Sequence, residues 1–183
     1  MQNLKGVCRR GQKCRGCSFL VVMLVFLALA TKAPAIVPWT ISINTNNIIV
    51  VTNAAYGAVA DNLTTNTTAI QNAINAAAAG GKTNGLVGGT VEIPAGANAY
   101  LCGPITLKNN VNLQIDGGAL LRMLSYSQYP GGILNPPNFI SGSGVTNIEI
   151  SGSGAIDGQG APWWPGYKTN KRPIMIYLSD CSR

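Results

Sequence analysis

The stretch that decides the fold is Asn138–Trp164, NFISGSGVTNIEISGSGAIDGQGAPWW. Its branched residues Ile148 and Ile150 alternate with polar residues, and a glycine turn separates them from Ala155 and Ile156. Alternation with a period of two predicts half-buried strands, and the glycines and serines predict turns between them. We therefore expect several very short strands rather than a few long ones.

An earlier part of the chain repeats this pattern. Asn112–Leu121 aligns without a gap with Asn147–Ile156, which places Leu113 on Ile148. One such unit cannot bury its own apolar row, so repeated units are expected to stack as successive coils. The repeat predicts an all-β fold, a parallel β-helix. A β-sandwich with glycine-rich turns remains the alternative on these patterns alone.

A resemblance to a known family extends this interpretation. The segment Gly154–Gly160, GAIDGQG, followed by Trp163-Trp164, resembles the GTIDGQG…WW segment of the family-28 glycoside hydrolases, the polygalacturonases. Further segments occur in the same order as in that family: Tyr56–Asp61, Gly89–Gly96, Gly103–Lys108, Arg172-Pro173 and Leu178–Ser182. The resemblance covers residues 48–183 and implies a right-handed β-helix. It also implies a pectin-degrading enzyme that hydrolyses 1,4-α-galacturonosyl bonds, with pectin or polygalacturonate as its polysaccharide partner.

The residues that would carry this chemistry are missing from the sequence. Glycoside hydrolysis uses two carboxyl groups across the scissile bond. By resemblance, the family places these in an Asn-Thr-Asp motif and an Asp-Asp pair, followed by Gly-His-Gly and Arg-Ile-Lys. None of these motifs occurs here, and the chain has no histidine. We therefore assign no catalytic residue and expect an inactive N-terminal portion of such an enzyme.

Two other functions stay open at this stage. One is a non-catalytic wall-binding or structural β-helix protein. The other is a relative of the rhamnogalacturonan hydrolases or of the pectate-lyase-like proteins, which share the early motifs. The absence of histidine and of clustered ligands predicts neither a metal site nor a cofactor.

The first 35 residues are predicted to be a secretory signal peptide. A basic head precedes the uninterrupted apolar run Ser18–Ala30, which is too short for a bilayer-spanning helix. Small residues predict cleavage after Ala30 or after Ala35. An uncleaved membrane anchor is the alternative. Cleavage would make the protein secreted, extracellular or in the cell wall, with no membrane partner afterwards.

The charge of the chain belongs mostly to this leader. The formal net charge is +7, but from residue 36 onward seven Lys and Arg side chains face six acids. A nearly neutral mature part gives no reason to expect nucleic-acid binding.

After the leader we expect a polar segment, residues 36–47, and a partial β-helix domain, residues 48–183. Thr68–Ala79 is the one convincing helix, since Ile70, Ala73, Ile74 and Ala77 form an apolar face. The helix is predicted to cap the first coil, with Thr68 and Gln71 forming a capping box. At the C-terminal end the stack is predicted to be incomplete, and an open β-helix end favours self-association.

Several polar and aromatic residues are candidate sites. Asn62 and Asn66 begin N-glycosylation sequons. Cys102 and Cys181 are candidates for a disulfide, but each could equally be a small buried residue or have a partner elsewhere.

Trp163 and Trp164 are candidate substrate-binding residues. They could stack on a sugar ring or fold back over the coil as packing, and packing is favoured. Asp157, in the Asp-Gly-Gln turn, is predicted to bond local backbone rather than to act in catalysis.

Overall fold

The structure is a computed structural model that describes residues 42–131, 135–164 and 171–182. The predicted signal peptide, with its cleavage positions at Ala30 and Ala35, lies outside the described residues. Over the described ranges, no helix combines the length and apolar character needed to cross a membrane.

The described chain contains one α-helix and ten short β-strands. Their bounds are β1 Ile48–Val50, α1 Thr67–Ala78, β2 Gly89–Ile93, β3 Tyr100–Cys102, β4 Ile105–Thr106, β5 Val111–Ile115, β6 Leu120–Met123, β7 Ile140–Ser143, β8 Glu149–Gly152, β9 Ala155–Asp157 and β10 Ile176–Ser179. A 3₁₀ turn at Ala161–Trp163 lies between the last two strands.

The strands form three parallel sheets. Sheet 1 has the order β1-β2-β5-β8, sheet 2 has β3-β6-β9, and sheet 3 has β4-β7-β10. The chain visits the three sheets in turn and then repeats the circuit, so each strand pairs with its equivalent in the neighbouring coil. The predicted stack of coils is confirmed. A β-sandwich would need antiparallel sheets, so that alternative is not the fold.

The register between coils differs from the ungapped alignment in sheet 1. Leu121 pairs with Ile156, as aligned, but Leu113 pairs with Ile150 and not with Ile148. The turn after β5 is longer than the turn after β8, which accounts for a slip of two residues. Because side chains alternate with a period of two, such a slip keeps the same side chains facing inward, and the sequence pattern cannot detect it.

Sheet 3 has the same ambiguity of register. The structure pairs Ile140 with Ile176, although the sequence pattern would equally allow Leu178. The apolar alternation is again compatible with both registers.

A corner of the coil divides the alternating run from Tyr100 to Leu107. The alternation is compatible with a single strand, but β3 and β4 belong to different sheets. Gly103 and Pro104 lie between them. Proline has no N–H to donate to a ladder, so the chain turns at this point from sheet 2 to sheet 3.

The helix packs as predicted, but its first turn is held differently. Ile70, Ala73, Ile74 and Ala77 are all fully buried. Asn66 is the N-cap and makes no side-chain capping bond, so the Thr68–Gln71 capping box is wrong. Gln71 instead bonds the backbone of β4, because an unpaired strand edge competes for its amide.

The core lies inside the coils and beneath the helix. Its largest fully buried members include Tyr100, Phe139, Ile93, Ile105, Leu107, Leu113, Leu121 and Met123. Burying one such side chain stabilises the fold by about 1.5–3 kcal/mol. The strands of the last described coil are less buried, since they have a neighbour on one side only.

Packing also begins ahead of the predicted domain start at residue 48. Ile43 is buried and forms a parallel bridge with Val87, and Asn44 donates its backbone N–H to the Val87 carbonyl. Part of the segment 36–47 is therefore integrated into the first coil.

Candidate functional site

Two of the three connections from sheet 2 to sheet 3 are long. The first connection is only Gly103-Pro104, but the second spans residues 124–139 and the third spans residues 158–175. Loops that protrude from a rigid scaffold are common places for binding residues. Both candidate tryptophans lie in the third connection.

Trp163 is a packing residue. It is 1% exposed and makes edge-to-face contacts with Tyr126 and Tyr129, at centroid distances of 4.8 and 6.0 Å. The Tyr129 hydroxyl donates to the Pro137 carbonyl, which ties the second connection to this cluster. Burial raises the pKa of the Tyr129 phenol, and the neighbouring Cys102 thiol contributes. These aromatic contacts fasten the two long connections together.

Trp164 is oriented toward solvent. It is 61% exposed, and the Arg172 guanidinium lies 4.7 Å from its ring centroid. This distance is within the range of a cation–π interaction. An exposed aromatic ring beside a guanidinium can contact a sugar ring and bind a carboxylate at the same time. The two adjacent tryptophans therefore have different environments.

A cavity of about 360 Å³ opens beside these residues. Its lining combines apolar and cationic groups: Met123, Ile156, Gly158, Gly160, Trp163, Arg172, Pro173 and Met175. The indole N–H of Trp163 is buried, with no acceptor among the described residues. Met123 and Ile156 belong to sheet 2, and Pro173 and Met175 come just before β10 of sheet 3.

Asp157 has two structural partners. Its Oδ1 accepts a bond from the Gln159 backbone N–H at 2.9 Å, which is the turn role expected from the sequence. Its Oδ2 pairs with Arg122 Nε at 2.9 Å across adjacent strands. The same guanidinium donates to Asn62 Oδ1 at 2.8 Å. Sequence reasoning missed the Arg122–Asp157 pair, although extending the alignment of Leu121 with Ile156 by one residue places the two side by side.

A second pair that the sequence did not suggest lies on the outer face of sheet 1. Burial raises the pKa of Glu92, and the charge and hydrogen bond of Asp116 raise it further. Asp116 in turn accepts a bond from Gln114 at 2.8 Å. The pair arises because Glu92 and Gln114 are register partners, and Asp116 lies two residues further along the same face.

The other described acids have no comparable arrangement. Asp61 accepts bonds from the backbone of Leu63 and Thr64 and from the Thr64 hydroxyl, and the hydroxyl contributes most to lowering its pKa. Over the described ranges, no three His, Cys, Asp or Glu side chains form a group suited to a metal ion.

The two candidate disulfide cysteines are separate thiols. Cys102 is buried, and its Sγ donates to the Gly103 carbonyl, whereas Cys181 is exposed and lies against Gly142 and Ser179. Burial raises the pKa of the Cys102 thiol to about 12. In the structure both thiols are free, and Cys102 is a small buried residue.

The two sequon asparagines also differ. Asn62 is exposed at the edge of sheet 2, whereas Asn66 is buried beneath the first turn of the helix.

Comparison with known proteins is consistent with this architecture. The polygalacturonase from Erwinia carotovora ssp. carotovora superposes with a TM-score of 0.53 and 23% sequence identity, covering 78% of this chain and 40% of that one. The class of fold is therefore the right-handed parallel β-helix. The family model for glycosyl hydrolases family 28 matches residues 84–182. The chain belongs to glycosyl hydrolase family 28.

Two sequence relatives belong to the same comparison. The "Probable endo-xylogalacturonan hydrolase A" of Aspergillus fumigatus is 31% identical over 100 residues, covering 52% of this chain and 24% of the relative. The endo-polygalacturonase of Pectobacterium carotovorum is 33% identical over 97 residues, covering 42% of this chain and 24% of the relative. The chain spans about a quarter of the length of these curated relatives.

Proposed function

We propose that this chain is the N-terminal part of a secreted pectin-degrading hydrolase of the polygalacturonase type, which cleaves 1,4-α-galacturonosyl bonds. Family membership is the observation that carries the proposal. The stacked coils would be the scaffold on which such a hydrolase holds an extended polysaccharide.

Hydrolysis itself would need coils other than these. An inverting glycosidase separates its two carboxyl groups by about 6.5–9.5 Å to leave room for water. Asp157 is paired with Arg122 across sheet 2, and the Glu92–Asp116 pair belongs to sheet 1. Neither pair resembles the aspartate motifs of the family. We infer that these 183 residues support catalysis by carboxylates elsewhere in a longer enzyme.

The Trp164–Arg172 pair is the proposed contribution of this chain to substrate binding. A polyuronate presents a carboxylate on every sugar. The guanidinium can bind a carboxylate through two hydrogen bonds, while the aromatic ring covers a sugar face. Trp163 cannot take this role, because its ring is enclosed by Tyr126 and Tyr129.

The proposed hydrolase function is tested by reducing-end release from polygalacturonate. Residues 36–183 should release none, and the same chain extended with its natural downstream sequence should be active. Activity of the short chain that is lost in Asp157→Asn would overturn the assignment of that residue to a turn.

Substrate binding is tested separately by titrating oligogalacturonate onto single variants. Trp164→Ala should weaken binding and leave the unfolding transition unchanged. Trp163→Ala should lower stability by about 3–5 kcal/mol, because it empties a buried site. Unchanged affinity in both Trp164→Ala and Arg172→Ala would rule out this contact.

A non-catalytic wall-binding protein is the second candidate function. The exposed Trp164 beside Arg172 favours it, since binding a polyuronate needs no carboxyl pair. Retention of residues 36–183 on pectin, together with an extended chain that binds but never hydrolyses, would support this function.

We also propose secretion to the extracellular space or cell wall after removal of residues 1–30 or 1–35. N-terminal sequencing of the secreted protein should begin at Thr31 or Ile36. A membrane-bound product that retains Met1 would contradict cleavage.

Self-association through the last described coil is a further proposal. Ile174, Ile176, Tyr177 and Leu178 are all exposed, and β10 is an edge strand of sheet 3. Unpaired edges recruit strands from other molecules. A second copy of the chain should therefore bind there, and sedimentation should show mass increasing with concentration. A monomer at high concentration would oppose this.

A further inference from the structure

The two sequons lie four positions apart and have opposite environments. Asn62 is exposed, and its backbone N–H donates to the Ala99 carbonyl at 3.0 Å. Its neighbour Leu63 is 82% exposed, so the chain projects into solvent here. Asn66 is 1% exposed and lies between the helix and sheet 2.

The side-chain amide of Asn66 is fully engaged. Its Nδ2 donates to the carbonyls of Val59, Thr64 and Leu101 at 3.0, 2.9 and 3.3 Å. Its Oδ1 accepts the Val59 backbone N–H at 2.7 Å. A sugar on Nδ2 would replace one of these hydrogens and would need space that the buried site lacks. A chain glycosylated at Asn66 therefore could not form this fold.

In the side-chain amide of Asn62, the oxygen has a hydrogen-bond partner among the described residues and the nitrogen has none. Oδ1 accepts from Arg122 Nη1 at 2.8 Å, and Nδ2 has no partner among the described residues. Glycosylation substitutes the nitrogen and keeps the carbonyl, so the bond from Arg122 would survive. The modified residue would thus keep its side-chain bond from Arg122.

Space for a sugar exists beside Asn62. A depression of about 270 Å³ is lined by Asn62, Gly96, Ala97, Asn98, Ala99, Gly118, Leu120 and Arg122. Most of these side chains are small, and Leu120 offers an apolar surface for a sugar ring. The depression follows the outer face of sheet 2.

We propose that Asn62 carries an N-linked glycan and that the folded protein carries none at Asn66. The proposal rests on the proposed secretion. Asn62 Nδ2 would attack the anomeric carbon of a lipid-diphosphate-linked oligosaccharide. The new N–C bond replaces the C–O bond to the diphosphate, the nitrogen loses a proton, and the lipid diphosphate leaves.

The test expresses the full chain in a eukaryotic secretory host and compares the folded secreted protein before and after treatment with a glycan-removing amidase. The wild type and Thr68→Ala should each lose the mass of one glycan. Asn62→Gln and Thr64→Ala should lose none, and Thr64→Ser, which keeps the sequon, should behave as the wild type. Mass mapping should place the glycan on Asn62.

A parallel arm replaces residues 1–35 with an established secretory leader. If the natural chain stays outside the secretory lumen, the secretion proposal fails, and this arm still tests Asn62. Luminal folded protein without a glycan would overturn the proposal. So would a glycan that persists in Asn62→Gln and disappears in Thr68→Ala.

Discussion

Gln71 forms two hydrogen bonds with the backbone of Thr106. Its Nε2 donates to the Thr106 carbonyl at 3.0 Å, and its Oε1 accepts the Thr106 N–H at 2.8 Å. β4 is an edge strand of sheet 3, so a helix side chain here takes the place of a missing neighbouring strand. Asn66 likewise bonds an edge strand of sheet 2, because its backbone N–H and its Nδ2 both donate to the Leu101 carbonyl. The segment that begins the helix thereby closes the first coil.

This closure predicts that Gln71→Ala destabilises the fold. The change removes two hydrogen bonds and leaves the strand edge to water, and we expect a loss of about 1 kcal/mol. The free energy of unfolding in urea is the measurement. Thr68 is exposed on the same helix, so Thr68→Ala is the matched control and should leave the free energy of unfolding almost unchanged. Equal stability of the Gln71 and Thr68 variants would show that the edge needs no such partner.

Gly152 is expected to tolerate no side chain. It has φ +98°, and a Cβ there would contact the Ile115 carbonyl oxygen. Strain of this kind costs about 1–3 kcal/mol before the clash is added. We therefore predict that Gly152→Ala lowers stability by more than about 2 kcal/mol or prevents folding. In Gly81→Ala the added Cβ meets nothing within 4 Å, so its melting temperature should match the wild type.

The Glu92–Asp116 pair predicts a pH dependence of stability. Burial, and then Asp116, raise the pKa of Glu92 above its ordinary value of 4.5. The folded state therefore favours protonated Glu92. Its contribution to the free energy of unfolding is complete below pH 4.5 and is lost as the pH rises through the pKa of Glu92 in the folded protein. Glu92→Gln, which stays neutral, should gain stability over the wild type as the pH rises.

The free energy of unfolding of Glu92→Gln should exceed that of the wild type by about 0.5 kcal/mol at most, because water screens the charges on this outer face. Chemical unfolding at several pH values from acid to neutral measures it. Glu149→Gln, on the same sheet and away from Asp116, serves as the control. A Glu92→Gln variant that becomes relatively less stable toward neutral pH would reverse the sign and refute the argument.

The cysteines are predicted to differ in reactivity. A thiol with a pKa of about 12 carries almost no thiolate at pH 8, and Cys102 is also buried. A thiol reagent should therefore label Cys181 and leave Cys102 unlabelled until the protein unfolds. Peptide mapping after brief labelling identifies the site. Protection of both thiols, with a mass two hydrogens lower in the linked peptides, would instead demonstrate the disulfide.

The sequence by itself determined the class of fold and the helix. Period-two alternation between glycine turns predicted stacked coils, and the apolar spacing of Ile70, Ala73, Ile74 and Ala77 predicted the buried face. These features are local, because an alternating or helical pattern reports directly which side chains share a face.

Only the tertiary structure decided which residues meet across coils. Leu113 pairs with Ile150 because two extra residues in one turn shift the register without changing which side chains face inward. The Glu92–Asp116 pair and the closing role of Gln71 likewise depend on which elements lie next to each other in the fold. Trp163 and Trp164 differ in environment, as do Asn66 and Asn62, because different parts of the fold pack against each residue. A sequence motif contains no information on that.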